Sequence, residues 1–480
     1  MKLSEIIKGI NILQPVTIDP EVTSICFDSR KAEAGSCFVA QEGTKVNGHN
    51  FIDATIESGA VAIVCQRMPN KIKDGVAYVL VENSDYALGI IANNFYGHPS
   101  SQLILVGITG TNGKTTTVTL LHRMFREHGY HTGLISTIVN KIDETEIPAT
   151  HTTPDALALN SLLRQMVDAG CQYAFMEVSS HSIVQNRIAG LTFAGGIFSN
   201  ITHDHLDFHK TMANYIAAKK MFFDNLPAKA FALTNLDDRN GMVMVQNCKA
   251  NIQTYSLVKM ADFRCKIIED TFQGLQLEIN GQEVWTRLVG RFNAYNLTAI
   301  YAAAVLCGID SAESLRLLST LGAAEGRFQY VSGKGITAIV DYAHTPDALE
   351  NVISTINDIR QPSQMLYTVA GCGGDRDTSK RPEMAKIACN MSDRLILTSD
   401  NPRTEDPEKI LDDMEAGLTD EQKCQVVRIT DRRQAIRTAV LMARSGDIIL
   451  VAGKGHEKYQ DINGVKHHFD DVEELEALLK

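Results

Sequence analysis

The chain has 480 residues, of which 44% are hydrophobic and 21% charged, a composition typical of a globular protein with two to four domains. Acidic residues exceed basic ones by 57 to 46, and the formal charge of −11 argues against a broad surface for nucleic acid. Any phosphate-bearing ligand must therefore be held by a local site, and we expect small-molecule substrates with no nucleic-acid partner.

The ten cysteines include no C-x-x-C pair, so the sequence indicates neither a zinc ribbon nor a redox dithiol. Residues 1–13 have an amphipathic helical pattern without the apolar core of a signal peptide. No apolar run has the length of a membrane span. We therefore expect a cytoplasmic protein, and a monomer.

The first 98 residues alternate short apolar runs, at 37–40 and 61–65, with helical stretches such as 51–58. This pattern predicts a small amino-terminal α/β domain over residues 1–98. The sequence YGHPSS at 96–101 is rich in residues that end helices and strands, and it predicts the domain boundary.

The next part of the chain predicts a parallel sheet covered by helices, because strand patterns and helical patterns alternate. Strands are predicted at 103–108, 173–178 and 195–201, and a helix at 116–128. The first strand leads into a phosphate-binding loop formed by Gly110, Thr111, Asn112, Gly113, Lys114, Thr115 and Thr116. Backbone N–H groups of such a loop cradle phosphates, Lys114 reaches the β- and γ-phosphates, and Thr115 binds Mg²⁺. We therefore predict a central ATP-binding domain over 99–330; the alternative is a tight turn whose glycines serve geometry only.

Polar residues follow the second and third predicted strands of this domain. Glu177 at a strand end is placed to bind Mg²⁺, while Ser179 or Ser180 can cap the next helix, and both roles are compatible. The segment HDHLDFH at 203–209 could bind zinc, but no further ligands complete a set, so Mg²⁺ or phosphate is favoured. Asn293 and Asn296 could bind a purine or cap a helix, and Arg327 could clamp the γ-phosphate or be a surface residue.

After residue 330, predicted strands at 336–340, 365–369, 394–398 and 447–451 are each followed by a loop of unusual composition: DYAHTPD, AGCGGDRD, SDNPRTEDP and AGKGHEKY. Ligands of open α/β sheets bind beyond the carboxyl ends of the strands. We predict a Rossmann-like carboxyl-terminal domain over 331–480, which gives three α/β domains in all. Arg403, with Arg376, could bind a carboxylate and Glu457 an ammonium, as in an amino-acid pocket; ordinary surface ion pairs are the alternative.

The motifs TGTNGKTT, EVSSH, HDHLDFH, GRF, DYAHTPD and DNPR, in this order, resemble the Mur ligase family over essentially the whole chain. The resemblance implies one domain for a UDP-sugar, one for ATP and one for an amino acid. It implies a carbamylated Lys219 (N6-carboxylysine), which binds metal with Thr115, Glu177 and His205; Lys114, Lys219, His205 and Glu177 would be catalytic, with His205 helping to neutralise charge. The other implied contacts are Asp341 and His344 for ATP, Phe27, Ser29, Arg30, Thr152, Thr153, Ser179, Gln185 and Arg187 for the UDP-sugar peptide, and Arg376, Asp400, Asn401, Pro402, Arg403, Gly453 and Glu457 for the amino acid.

The implied reaction is ATP-dependent amide formation through an acyl phosphate, in peptidoglycan precursor synthesis. The DNPR motif is similar to that of family members that add meso-diaminopimelate to UDP-MurNAc-L-Ala-D-Glu. Diaminopimelate differs from lysine by one carboxylate, and an arginine favours that group. A folylpolyglutamate-type ligase is one alternative, disfavoured by the segment FDSR at 27–30 and by DNPR. A P-loop switch or partitioning ATPase is another, but it leaves the four carboxyl-terminal loops without a purpose.

Overall fold

The computed structural model describes residues 1–43 and 46–480, apart from the side chain of Asp207. In the described residues, three large sheets follow one another along the chain, each covered by helices, and a two-stranded sheet follows the third. This arrangement confirms the predicted class, three α/β domains. The sheets fall close to the predicted ranges, although the third one begins at Gln329, and the domain boundaries themselves stay a prediction. None of the helices in the described part of the chain is long and apolar enough to cross a membrane.

The first sheet is parallel, with the strand order β1-β2-β3-β4. Its elements are β1 Ser24–Cys26, β2 Ser36–Val39, β3 Ala62–Cys65, β4 Ala77–Leu80, α1 Leu3–Ile6, α2 Ile52–Glu57 and α3 Ser84–Phe95. The helix predicted over 1–13 is wrong in extent, since only Leu3–Ile6 is helical. Gly9 follows with a φ of 86°, which is incompatible with a continuing right-handed helix.

The second sheet has the order β15-β14-β13-β12-β11-β10-β5-β9-β6-β7-β8. Its strands are β5 Ile104–Thr109, β6 Thr132–Ile135, β7 Val139–Ile142, β8 Thr145–Pro148, β9 Tyr173–Glu177, β10 Gly195–Phe198, β11 Phe231–Asn235, β12 Asn251–Ser256, β13 Phe263–Thr271, β14 Gly274–Ile279 and β15 Gln282–Thr286. Its helices are α4 Lys114–Glu127, α5 Ala156–Asp168, α6 Ser180–Val184, α7 Leu206–His209, α8 Met212–Asp224, α9 Gly241–Met244, α10 Arg291–Leu306 and α11 Ser311–Thr320.

The centre of this second sheet is parallel, as predicted, but both of its edges are antiparallel. On one edge β13, β14 and β15 form a meander, and on the other β7 and β8 form a hairpin. In β14, buried and half-buried residues alternate, which is typical of antiparallel strands with one solvated face. The prediction of a purely parallel sheet is therefore corrected at its edges.

The third sheet has the order β16-β17-β21-β18-β19-β20, and only the edge strand β16 is antiparallel. Its strands and the hairpin that follows them are β16 Gln329–Gly333, β17 Ile336–Asp341, β18 Leu366–Ala370, β19 Arg394–Leu397, β20 Val426–Arg428, β21 Ile448–Ala452, β22 Tyr459–Ile462 and β23 Val465–His468. Its helices are α12 Pro346–Ile359, α13 Lys380–Met391, α14 Pro407–Glu415, α15 Asp420–Lys423, α16 Arg432–Met442 and α17 Asp471–Leu479.

The four strands predicted in this domain are β17, β18, β19 and β21, and they are parallel neighbours. Their carboxyl ends therefore share one edge, and the four loops of unusual composition extend from it. This confirms the predicted grouping of the loops.

Candidate active site

The phosphate-binding loop connects β5 to the amino terminus of α4. Gly113 has a φ of 86°, and a Cβ there would lie 2.4 Å from Asn296 Oδ1. A Cβ on Gly110 would lie 1.9 Å from Ser199 Oγ, so neither position accepts a side chain without rearrangement. Lys114 Nζ donates to the carbonyl oxygens of Gly110 and Thr111 at 2.9 and 2.8 Å. Burial lowers the pKa of Lys114, although the carboxylates of Glu177 and Asp204 oppose this shift.

Glu177 lies at the end of β9, beside the loop, and is 1% exposed. Its Oε1 accepts from the Thr115 hydroxyl and from the Thr137 backbone N–H, both at 2.8 Å. Thr137 also donates from its hydroxyl to Glu177 Oε2 at 3.2 Å and to Thr152 Oγ1 at 3.1 Å. Arg327 Nη2 donates to Thr115 Oγ1 at 3.3 Å. The hydroxyl and carboxylate oxygens are the hard donors that Mg²⁺ prefers, so this pair fits the predicted metal. Thr137 was not identified from the sequence, which carries no signal for it.

The side chain of Lys219 is 1% exposed and reaches the same loop from α8. Its Nζ donates to Gly110 O at 2.8 Å and lies 4.6 Å from the centre of the Tyr215 ring. Burial, together with the nearby Lys114, lowers the pKa of Lys219 well below its ordinary value. The next residue, Lys220, instead pairs with Asp224 at 2.6 Å. Only one of the two adjacent lysines therefore faces the loop, because neighbouring residues on a helix point about 100° apart.

The histidine-rich segment places His205 beside Asp204, with 3.3 Å between Nε2 and Oδ2. The His205 ring meets the His181 ring edge-on, with 4.9 Å between centroids. Desolvation outweighs the attraction of Asp204 and lowers the pKa of His205 to about 4. With that pKa the imidazole is mostly neutral near pH 7, and the catalytic and metal-binding roles expected of His205 stay predictions. Burial opposes ionisation of Asp204, but His205, His344, Lys380 and Lys114 together lower its pKa.

Among the described residues, no group of three or more His, Cys, Asp and Glu is arranged to hold a metal ion. A magnesium ion bound by Thr115 and Glu177 would need further ligands, and a carboxylated Lys219 or phosphate oxygens are of the right chemical type.

The residues expected to contact the UDP-sugar peptide form a hydrogen-bonded network next to Glu177. Thr153 donates to Glu177 O at 2.8 Å, and the Ser179 backbone N–H donates to Thr153 Oγ1 at 3.1 Å. Arg187 donates to Thr153 O at 2.8 Å and to Gln185 Oε1 at 2.6 Å. Ser179 also caps α6, as predicted for a serine at this position.

The segment Phe27–Arg30 belongs to the first sheet, where it follows β1. Asp28 caps a short 3₁₀ helix, Ser29–Lys31, and pairs with Arg30 through both carboxylate oxygens, at 2.9 and 2.7 Å. Arg30 remains largely exposed. The expected uridine contacts therefore lie beside the first sheet, whereas the phosphate loop belongs to the second.

Residues at the junction of the second and third sheets extend to the phosphate loop. The Arg327 guanidinium lies 4.7 Å from the centre of the Tyr342 ring, and Asp341 Oδ2 accepts from the Phe328 backbone N–H at 2.7 Å. Burial raises the pKa of Asp341 to about 6, against the attraction of Arg327. His344 Nδ1 lies 2.8 Å from Tyr342 O. Asp341 and His344 thus hold the backbone that presents Arg327.

A second cross-domain contact was not singled out from the sequence, although its residue lies in the DYAHTPD motif. Asp347, in the first turn of α12, accepts from Asn112 Nδ2 at 2.5 Å and from the Thr202 hydroxyl at 3.2 Å. The phosphate loop is thus joined directly to the carboxyl-terminal domain.

The predicted purine contacts Asn293 and Asn296 are buried in α10. Asn293 donates to Val289 O at 2.8 Å, and Asn296 donates to Asn293 Oδ1 at 3.1 Å. Asn296 also lies against Gly113. Asn296 therefore lies against the phosphate loop and bonds to Asn293, and a purine contact for the two amides stays a prediction.

The four carboxyl-terminal loops bring the expected amino-acid contacts together. Arg403 has a φ of 52°, and its Nη1 donates to Gly374 O at 2.6 Å, which fixes the guanidinium. Asn401 donates to Glu457 Oε2 at 2.7 Å, and burial followed by the charge of Asp400 raises the pKa of Glu457. The remaining members of this set are a buried Pro402, an exposed Arg376 and Gly453, where a Cβ would lie 2.5 Å from Asp400 Oδ2.

Lys454 lies among these residues with an exposure of 0%, and it was not identified from the sequence. Its ammonium donates to Asn401 Oδ1 at 3.0 Å. The available signal was a lysine between two glycines directly after a buried strand.

A phosphate loop with a carboxylate at its side, joined across a domain junction to a cluster of charged loops, defines a three-domain α/β nucleotide-binding enzyme. Comparison with known proteins agrees: residues 21–96, 108–304 and 326–455 match the models of the Mur ligase family catalytic domain, the Mur ligase middle domain and the Mur ligase glutamate ligase domain. The chain belongs to the Mur ligase family.

Several named proteins are similar to the chain over nearly its full length. The chain is 55% identical, over 99% of both sequences, to a UDP-N-acetylmuramoyl-L-alanyl-D-glutamate–2,6-diaminopimelate ligase of Phocaeicola vulgatus. A solved structure with that same enzyme name is 33% identical, with a TM-score of 0.70 over 100% of this chain and 98% of the other. A folylpolyglutamate synthase of Mycobacterium tuberculosis, 16% identical with a TM-score of 0.64 over 77% of this chain and 93% of its own, shares the fold.

Proposed function

We propose that the protein uses ATP to join meso-diaminopimelate to the D-Glu γ-carboxylate of UDP-MurNAc-L-Ala-D-Glu, a step of peptidoglycan precursor synthesis. The observation that carries the proposal is the placement of Arg403, Glu457 and Asp400 in loops that extend from one edge of the third sheet. A fixed guanidinium suits a carboxylate and the acids suit an ammonium, so the cluster matches the free end of diaminopimelate. The names of relatives with high identity over the full length support the same substrate.

The phosphate loop is proposed to hold the ATP phosphates through its backbone N–H groups and Lys114. Thr115, Glu177 and His205, together with the carboxylated form of Lys219, would hold Mg²⁺. When bound, the metal supplies positive charge next to the phosphates. Lys114 and Arg327 add cationic charge from the protein, so that the carboxylate of the substrate can approach the γ-phosphate.

Carboxylation of Lys219 is supported by its environment. A neutral amine is needed to add to CO₂, and the lowered pKa of this buried lysine favours that form. The addition forms an N–C bond and releases one proton. The product is a carboxylated side chain whose negative charge lies near Lys114 and whose oxygens suit a hard cation.

In the proposed reaction, an oxygen of the D-Glu γ-carboxylate attacks the γ-phosphorus and the bond to the β–γ bridging oxygen breaks. ADP leaves and an acyl phosphate remains. The diaminopimelate amine then attacks the acyl carbon, loses a proton and expels phosphate, which forms the amide. The contacts of Asp347 and Arg327 with the phosphate loop support a closed cleft, which keeps water from the acyl phosphate.

The three proposed domains divide this work. Residues 1–98 bind the UDP-sugar, 99–330 bind ATP and 331–480 bind the amino acid. Since one chain supplies all three parts, we propose that a monomer is active, in the cytoplasm where ATP is available.

The test offers equal concentrations of meso-diaminopimelate and lysine with ATP and UDP-MurNAc-L-Ala-D-Glu, and identifies the product by mass spectrometry. The expected product contains diaminopimelate, and ADP is released only when both acceptor and amine are present. In Arg403→Ala, kcat/KM for diaminopimelate should fall by at least about tenfold, since a charge-assisted contact is lost, while lysine use changes little. Equal use of lysine by the unmutated protein, or ATP hydrolysis indifferent to the amine, would contradict the proposal.

A further inference from the structure

A fully buried ammonium group lies within the loop cluster that is proposed to bind the amino acid. Lys454 Nζ is 3.0 Å from Asn401 Oδ1, 3.5 Å from Glu457 Oε2 and 3.9 Å from Asp400 Oδ1. It also lies 5.5 Å from the centre of the Tyr459 ring. Since its side chain is 0% exposed, Lys454 cannot itself touch a substrate, and any effect on binding must pass through these neighbours.

The neighbours of Lys454 include two carboxylates in one poorly solvated site. The Asp400 side chain is 8% exposed and that of Glu457 is 14% exposed. Two such acids repel each other, and each would hold an unpaired negative charge if no cation were present. The ammonium of Lys454 lies between them and removes one unit of that charge.

Other charged or titratable groups also face Glu457. Tyr342, which follows β17, is held neutral because burial raises the pKa of its phenol. Arg432, at the start of α16, exerts attraction on Glu457 but forms a buried two-point ion pair with Asp471, at 2.7 Å for each bond. Of these surrounding groups, Lys454 is the cation within 4 Å of both Asp400 and Glu457.

We propose that Lys454 is a specificity-determining positioning residue: it holds Asn401 and Glu457 in place and limits the acidic side of the pocket to one net negative charge. This inference rests on the proposed function. One net negative charge balances one ammonium, and Arg403 is then left to bind a carboxylate. The pocket is thereby matched to the second ammonium and carboxylate pair of diaminopimelate. The side chain of lysine ends in an ammonium without a carboxylate and fits it less well.

The chain offers a matched control for this proposal. Lys466 is exposed and lies over the same Tyr459 ring, 4.0 Å from its centre. Lys466→Met removes a lysine of the hairpin that contains Tyr459, and it leaves the hydrogen bonds of Asp400, Asn401 and Glu457 in place. Lys454→Met removes the buried charge at similar side-chain volume, and Lys454→Arg keeps a charge.

The experiment measures kcat and KM for meso-diaminopimelate and for lysine, with KM for ATP as an internal reference. In Lys454→Met we expect KM for diaminopimelate to rise at least about tenfold, because a buried charge pair is broken. The ratio of kcat/KM for diaminopimelate to that for lysine should fall, KM for ATP should stay within about twofold, and Lys454→Arg should recover part of the loss. Lys466→Met should match the unmutated protein.

The pH dependence separates charge compensation from a merely structural role. Without the ammonium, Glu457 holds its proton to higher pH, so the rise of KM for diaminopimelate on acidification should begin at higher pH in Lys454→Met. If that variant does not fold, as judged by thermal unfolding, Lys454→Gln keeps a donor to Asn401 without the charge and replaces it in both measurements.

Two outcomes would overturn the inference: an unchanged preference for diaminopimelate in a folded Lys454→Met or Lys454→Gln protein, or a pH profile identical to that of the unmutated protein. These outcomes differ from failure of the proposed function, in which the unmutated protein itself would not incorporate diaminopimelate.

Discussion

At the scale of single residues, Lys219 illustrates how burial changes the pKa, and with it the reactivity, of a side chain. Lysine is rarely fully buried, because its charge is poorly solvated there. Here its ammonium nitrogen contacts a loop carbonyl and a tyrosine ring, and no carboxylate lies at ion-pair distance among the described residues. Such a site favours the neutral amine, which is the form that can react with CO₂.

We expect Lys219→Met to lose at least about a hundredfold in kcat, because the variant cannot provide an oxygen ligand near the phosphates. The unmutated protein, equilibrated with ¹³C-labelled bicarbonate, should give a carbamate carbon signal by NMR that is missing in the variant. Lys220→Met, at the paired neighbour, should keep both the signal and the activity. A signal of equal intensity in Lys219→Met would disprove the assignment.

Residue-level prediction from the sequence succeeded where chemistry is local. Lys114 and Thr115 follow a strand and a glycine, and their roles depend on that short segment. Lys219 gave no physical signal, since a helical lysine is normally solvated, and only the family resemblance pointed to it. Thr137 and Lys454 were missed because their importance comes from contacts with Glu177 and Asn401, 40 and 53 residues away in the sequence.

At the scale of secondary-structure elements, α4 and β6 are joined by a buried histidine. His122 is 2% exposed, and its Nδ1 lies 2.7 Å from the hydroxyl of Thr132. Desolvation, with smaller effects from Arg126 and Lys141, lowers the pKa of His122 from 6.5 to about 4. The fold therefore favours the neutral imidazole, while the unfolded chain takes up a proton near its ordinary pKa.

This difference predicts an acid-sensitive contact. The stability from neutral His122 is fully present above pH 6.5 and is lost as the pH falls towards about 4. Over that interval, the unfolding free energy of the unmutated protein should fall relative to His122→Gln by up to about 3 kcal/mol. Denaturation followed through the fluorescence of Trp285, the single tryptophan, measures this difference, and parallel pH curves for the two proteins would refute it.

The elements that the sequence predicted best were strands with continuous apolar runs, such as β5, β17 and β21. Burial on both faces gives these strands an unbroken apolar pattern. The antiparallel edges were missed because β7 mixes polar with apolar residues and β8 is mostly exposed, so both resemble a loop until a partner strand is known. Whether these segments form strands depends on their pairing with other strands, which the local sequence does not reveal.

At the scale of the whole molecule, the phosphate loop and the carboxyl-terminal domain are connected through Asp347. Its carboxylate accepts from Asn112 and Thr202, which belong to two loops of the central domain. Burial raises the pKa of Asp347, although both hydrogen bonds favour the ionised form. The contact thus stabilises one relative placement of two domains.

We expect Asp347→Ala to raise KM for ATP about threefold to tenfold, since one or two hydrogen bonds are lost, and to increase the radius of gyration measured by small-angle X-ray scattering. Glu350→Ala is the matched control, because Glu350 is an exposed acid on the same helix. Identical scattering curves and KM values for the two variants would show that this contact does not hold the domains together.

Arg327 lies between the second and third sheets, and its guanidinium donates to the Thr115 hydroxyl of the phosphate loop. The neighbouring Phe328 bonds to Asp341 and the guanidinium lies over the Tyr342 ring, so an outward movement of the third sheet would shift this cation away from the phosphate loop. On the proposed function, opening of the cleft would therefore weaken the hold on the ATP phosphates. A compound that binds behind Tyr342 and favours the open cleft would therefore inhibit from outside the ATP pocket, and raising the ATP concentration would relieve that inhibition.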